Sequence, residues 1–315
     1  MNNTAPQLDA TPLIDDAYWA AVTAAIRAEA QRLLQDGSVT AVVGYLPGRR
    51  SGTALPAVVT SVEEAQRLIF SPACQNNLAL YLTKAKKDIQ RSGRVAIVVK
   101  GCDLRALAGL MGENQLKREE LQIIGIPCAG VYGANADRSL PLSEGSIARK
   151  CRECNVHLPE GADVIAGELP VLPELAHLEA EELARLEAMT PAERWAFWKE
   201  QFSRCIKCLA CRQVCPFCFC EQCLCDRNRP QALETTPRPA GNFAWHIVRA
   251  MHLAGRCAGC AECERVCPMD IPLNLLNRKM AGEIKELYGY EAGLAPAEKG
   301  PLTSYTDTDD QSFIK

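Results

Sequence analysis

Eight cysteines fall within residues 205–225, CIKCLACRQVCPFCFCEQCLC, of a chain that has 315 residues and 17 cysteines in all. Packing does not call for that density of thiols, but ligation does. The spacing is Cys205-x2-Cys208-x2-Cys211-x3-Cys215-Pro216, and 52 residues on CAGCAECERVCP repeats it as Cys257-x2-Cys260-x2-Cys263-x3-Cys267-Pro268. Two intervening residues let a tight turn bring successive sulfurs to neighbouring irons, so three thiolates wrap one cube. The fourth, on the following helical turn, reaches the other cube. The pattern assigns Cys205, Cys208, Cys211 and Cys267 to one [4Fe-4S] cluster, and Cys257, Cys260, Cys263 and Cys215 to a second. Four thiolates also suit zinc, but zinc sites typically pair two Cys-x-x-Cys elements. Two copies of three-plus-one with a trailing proline favour cubanes.

A third set is scattered. Cys102 and Cys128 each follow an apolar run, VAIVVKGC and IIGIPC, and a chelating pair, Cys151-Arg-Glu-Cys154, comes downstream. The carboxyl ends of parallel strands share one sheet edge, where ligands bind. Four thiolates from two strand ends and one loop would make a third cubane or a zinc site. The plainer alternative is that Cys102 and Cys128 are buried core thiols. Five cysteines then remain. Cys74 reads as a small buried hydrophobe, while Cys218, Cys220, Cys223 and Cys225 read equally as a fourth metal site or as shielded thiols. The four histidines (His157, His177, His246, His252) form no nucleophile or metal constellation. There is no HExxH, no GxGxxG and no GxxxxGK[ST], so no standard dinucleotide or phosphate loop is present.

The elements that must position these residues are legible as periodicity. AYWAAVTAAIRAEAQRLLQD (17–36) predicts a helix stopped by Gly37. The runs at 39–46, 54–60, 94–100 and 121–126 predict strands, with SVEEAQRLIF and DLRALAGLMGENQL as helices between them. Continuous Val/Ile runs alternating with helices indicate an α/β fold with a doubly covered sheet over residues 1–170. A helical connector follows over 171–204, where Trp195, Phe197 and Trp198 read as packing. A mainly helical ferredoxin-like domain is expected over 205–293, closed by a helix at 272–290, and a flexible polar tail over 294–315. The net charge of −3 gives no reason to expect nucleic acid, and no apolar run reaches the length of a membrane span. The N-terminus lacks a basic start and an apolar stretch, so a cytoplasmic protein is the expectation. A reducing compartment and dense Cys-x-x-Cys spacing favour metals over disulfides.

The order KGCDLRAL, IGIPCAG, CRECNVHLPEGADVIAGE resembles the beta subunit of deazaflavin-reducing hydrogenases, a family that includes formate dehydrogenase beta subunits. The likeness covers roughly 35–170. It implies a cluster on Cys102, Cys128, Cys151 and Cys154, followed by Ala162, Asp163 and Gly167, beside a bound FAD. KGCD stands where the family usually has Gly-Thr-Pro-Cys, and Val156-His157 where it usually has Asp-Phe. With no phosphate loop, the flavin would use the strand-end residues Lys100, Gly101 and Asp103, although Lys100 reads equally as a solvated surface lysine. The implied activity is that of an oxidoreductase subunit. It would pass electrons between a two-electron partner (deazaflavin, NAD(P)H or another subunit's centre) and clusters in a larger redox complex. The alternative is a flavin-free electron-transfer subunit of a dehydrogenase or heterodisulfide-reductase-type complex.

Overall fold

The computed structural model describes residues 11–84, 93–294 and 299–301. The polar lead and most of the tail expected from the sequence lie outside the described residues. Helix α1 (Asp16–Gln35) opens the fold, its N-cap Asp15 accepting from the amide of Tyr18. It buries Trp19, Val22, Ile26, Ala30 and Leu33, one stripe at helical spacing.

Five strands form one sheet in the order β2-β1-β3-β4-β5: β1 (Ala41–Pro47), β2 (Ala54–Val59), β3 (Val95–Val99), β4 (Leu121–Gly125) and β5 (Val164–Ile165). β1, β3, β4 and β5 run parallel, whereas β2 pairs antiparallel with β1. The link between those two strands, 48–53, is too short for a parallel crossover. Every residue of β3 is buried, as a strand covered on both faces must be. The short helices α2 (Val62–Ala65) and α3 (Ala79–Lys84) follow β2. The helix expected over SVEEAQRLIF thus stops early. The amides of Ile69 and Phe70 donate instead to the carbonyl of Tyr45 and the hydroxyl of Thr23, and this buries Leu68 and Phe70 beside α1.

Helix α4 (Gly101–Gly112) leaves β3 directly, and α5 (Arg149–Arg152) carries the chelating pair. The connector folds as α6 (Leu178–Ala188) and α7 (Pro191–Ser203), the latter opened by a reciprocal Thr190/Glu193 cap. Trp198 stacks on the fully buried Phe202, and Trp195 lies against Phe243. The cysteine-rich segment contributes α8 (Ala210–Gln213), α9 (Pro239–His252), α10 (Glu262–Arg265) and α11 (Leu273–Tyr288). These 11 α-helices and one sheet make the described residues a mixed α/β protein.

The C-terminal part rests on the sheet part. Cys215, Phe217, Leu253 and Ala258 belong to the same hydrophobic core as the strands, while Phe202, Cys211, Trp245, Cys263 and Ile271 form a second core. Arg256 pairs with Glu113, and Arg105 donates from Nε and Nη2 to the carbonyl of Ala292 at 3.0 and 2.9 Å.

Candidate metal centres

β3 and β4 are parallel and in register from Val95↔Leu121 to Val99↔Gly125, so their carboxyl ends lie side by side. Cys102 sits in the first turn of α4, Cys128 just beyond β4, and Cys151 and Cys154 on and after α5. All four line one cavity. The loop bearing the chelating pair is clamped to the strand end by His157. The amide of Cys128 donates to the His157 carbonyl at 2.7 Å, and His157 Nδ1 donates to the Cys128 carbonyl at 2.7 Å. No role for His157 is readable from the sequence, because neither of these bonds leaves a motif. Gly101 is fixed sterically, since a Cβ there would overlap the carbonyl oxygen of Val156 on the same loop.

The two ferredoxin-type motifs share one backbone path. Lys207 and Gly259, each two residues after the first cysteine of its motif, have φ of 56° and 66°. Leu209 and Ala261, each four residues after it, have φ of 60° and 51°. A one-turn helix carrying the third cysteine follows in both copies, α8 and α10. Left-handed non-glycine residues are costly and persist where the surroundings over-determine them, often at ligand clamps. Cys205, Cys208, Cys211 and Cys267 line one hollow, and Cys215, Cys257, Cys260 and Cys263 another. The crossed fourth cysteine expected from the spacing is therefore on the lining of the expected hollow in each case.

The sulfurs are met by donors. Amides two residues downstream act on Cys128, Cys154, Cys205, Cys215 and Cys257, from Gly130, Val156, Lys207, Phe217 and Gly259. Asn277 Nδ2 approaches Cys263 Sγ at 3.5 Å. Such donors favour thiolate over thiol, while burial works against them and pushes Cys102, Cys128, Cys257 and Cys260 above the ordinary thiol range. Loading a metal here must displace those protons. Among the described residues, no three His, Cys, Asp or Glu side chains converge on the point a single ion would occupy. Four cysteines around a hollow could take a group that offers each sulfur its own iron. His246, buried and stacked on Phe202 at 4.6 Å, lines the Cys205 hollow. Burial pushes it down to about 3, which keeps it uncharged at neutral pH.

The remaining cysteines are not gathered into one group. Cys74 is fully buried, as expected of a core thiol. Cys218 hydrogen-bonds to Cys215, Cys223 and Cys225 bond to each other beside Arg212, and Cys220 is exposed. The expected flavin contacts also look different in place. Lys100 is neither solvated nor free: its Nζ meets Asp103 Oδ2 at 2.8 Å, the Tyr45 hydroxyl at 2.7 Å and the Asn76 carbonyl at 2.9 Å. Asp103 is fully buried and accepts from the amide of Lys100 as well. Their charges are spent on each other, although Lys100 itself is on the cavity lining. The strand-end cavity itself is wide, about 1210 Å³ including its mouth, against about 330 and 320 Å³ for the other two. Arg105, Asn155, Asn277 and Arg278 stand on its walls.

No family model matches the chain. It is similar to the F420-dependent formate dehydrogenase subunit beta of Methanocaldococcus jannaschii, 23% identical over 356 residues that cover 87% of this chain and 91% of that one. The F420-dependent formate dehydrogenase 1 subunit beta of Methanococcus maripaludis is likewise 23% identical, covering 86% and 90%. The resemblance read from the motifs is therefore shown, and it extends well beyond residues 35–170. A chain in the solved F420-reducing [NiFe] hydrogenase complex of Methanosarcina barkeri aligns over 43% of this chain and 54% of its own, at 14% identity and a TM-score of 0.31, too loosely for any argument of fold. Both curated relatives are subunits of dehydrogenases. No helix among the described residues is long and apolar enough to cross a membrane.

Proposed function

We propose that this chain is an iron–sulfur flavoprotein subunit of a redox complex, passing electrons between a deazaflavin and [4Fe-4S] clusters held by its own cysteines. One observation carries the reading: the three cysteine sets assigned from spacing and resemblance line three hollows, with Cys257 on both its own and the strand-end one. The deazaflavin is supported by the two relatives, both named as F420-dependent. A bound cubane takes up and releases one electron, and a flavin converts an electron pair into single electrons.

The chain's own residues supply the settings for that exchange. Twelve cysteines offer thiolates, and i+2 amides stabilise the charge of five of them. Trp245, Ile271 and Leu273 give the Cys205 hollow buried apolar walls. Around the strand-end set, Gly101 and His157 hold the chelating loop against the sheet. The strand-end cavity is the roomiest of the three, and Gly101 and Asn155 are on the lining that a flavin beside the cluster would meet.

A second reading, a flavin-free electron-transfer subunit, is favoured by the mutual pairing of Lys100 and Asp103, which engages the charges of two of the three residues first expected to contact the flavin. The test is to purify the full chain without oxygen, release flavin with acid, and mix the intact sample with reduced F420 and a viologen acceptor. The account predicts bound flavin and viologen reduction that depends on F420. Clusters without flavin, and no oxidation of F420, would select the second reading.

A further inference from the structure

Two cations, the buried Arg249 and the partly buried Lys150, stand between the cysteine sets. Lys150 lies on the wall of the strand-end cavity, yet its Nζ donates to the carbonyl of Cys260 in the Cys257 set at 2.6 Å. Arg249 lies on the wall of the Cys257 hollow, yet its Nη2 donates to the carbonyl of Cys211 in the Cys205 set at 3.2 Å. Each therefore touches two consecutive sets. Arg249 is 6% exposed, its Nε meets no partner, and among the described residues no carboxylate forms an ion pair with it. Its charge acts on Cys263, Cys215 and Cys211, members of both sets it separates. Lys150 also forms no ion pair among the described residues. Glu262, the acid whose charge reaches it, is engaged with Arg265 at 2.7 Å. Its charge acts on Cys102 and Cys151 on one side and Cys260 on the other.

A buried cation costs several kcal/mol unless negative charge faces it. A cubane with four thiolates is a net anion in both oxidation states, and more so when reduced. We propose that Lys150 and Arg249 are the counter-charges at the two junctions of a row of three clusters, ordered strand-end set, Cys257 set, Cys205 set. The middle cluster, which alone faces both cations, is the easiest to reduce. This rests on the cluster reading above. The step concerned adds one electron to a cluster, with no bond made and no proton moved, so a nearby positive charge stabilises the reduced form more than the oxidised form. The two residues are positioning groups, not ligands: they set the cluster potentials so that an electron in transit rests on the middle cluster.

The test is a dithionite-poised redox titration of the full chain, purified without oxygen and followed by EPR, with iron measured on every sample. Signals are assigned by Cys128→Ser and Cys208→Ser, each of which removes one. In the intact chain the middle cluster is reduced first. Lys150→Met lowers the midpoints of the strand-end and middle clusters and leaves the Cys205 cluster unmoved. Arg249→Met lowers those of the middle and Cys205 clusters and leaves the strand-end cluster unmoved. Each shift corresponds to a roughly tenfold fall in the reduction equilibrium, about 59 mV for one electron. Lys150→Arg and Arg249→Lys restore the midpoints, and Lys150→Gln and Arg249→Gln give the same answer should the methionine variants fold poorly. Iron absent from the unaltered chain overturns the cluster reading itself. Full iron with midpoints unmoved, or moved alike at all three clusters, overturns the junction assignment and leaves the cluster reading standing.

Discussion

Lys100 Nζ and Asp103 Oδ2 lie 2.8 Å apart, with the two side chains 2% and 0% exposed, at the point where β3 becomes α4. The Lys100 ammonium also stands over the ring of Tyr45, 5.0 Å from its centroid. Cys102 lies between the two residues, so the pair fixes the turn that presents this thiol to the strand-end cavity. Removing one partner of a buried ion pair leaves the other charge uncompensated and costs about 3–5 kcal/mol. Asp103→Asn is expected to lower stability by that amount in anaerobic denaturant titration, and Lys100→Met by a similar amount. A loss below about 1 kcal/mol would mean that water or another group takes over the charge.

Gly101→Ala tests the same turn sterically. The added methyl would overlap the Val156 carbonyl, so the loop carrying Cys151 and Cys154 must move off the strand end. The expected result is loss of iron from the strand-end set, with EPR signals of the other two clusters intact. Full iron in this variant would show that the loop yields without cost.

Arg278 tests how the C-terminal part is held. Its Nη1 meets Glu153 Oε2 at 2.6 Å and Glu179 Oε2 at 2.7 Å, and Asn274 Nδ2 donates to both oxygens of Glu179 at 3.1 and 3.0 Å. This joins α11 to the chelating loop and to α6. Arg278→Ala strands two buried carboxylates. Because Arg278 is itself 32% exposed, the expected loss is about 2–3 kcal/mol, less than for a fully buried pair. Denaturant titration measures that loss, and limited proteolysis is expected to cut near 170–180 sooner than in the unaltered chain. Unchanged stability and cleavage would remove the network from the account.

Cys128→Ser separates ligand from core thiol. Iron is expected to fall by about four per chain, while the other two clusters remain visible by EPR. Unchanged iron would return Cys128 to the core, where its 9% exposure alone would place it.

Much of the fold was legible because it rests on local pattern. The helix expected at 17–36 is α1 at 16–35, and the runs at 94–100 and 121–126 are β3 and β4 to within a residue or two. The antiparallel course of β2 could be read only from the length of its link to β1. The two-residue β5 at 164–165 has too little periodicity to see. The crossed exchange of Cys215 and Cys267 was legible because both motifs print the same spacing, and their matched left-handed residues show why that spacing folds one way twice. His157, Lys150 and Arg249 were not legible. Each acts through a contact across 29, 110 or 38 residues, and single residues at such separations leave no motif. The alternative of a solvated Lys100 fails for a related reason: its burial depends on Tyr45 and Asn76, 55 and 24 residues earlier.

Whether cysteines of this chain hold inorganic clusters is decided by metal analysis of intact, air-protected protein. The account predicts about twelve irons per chain with matching acid-labile sulfide and no stoichiometric zinc. Zinc with neither iron nor sulfide would contradict it.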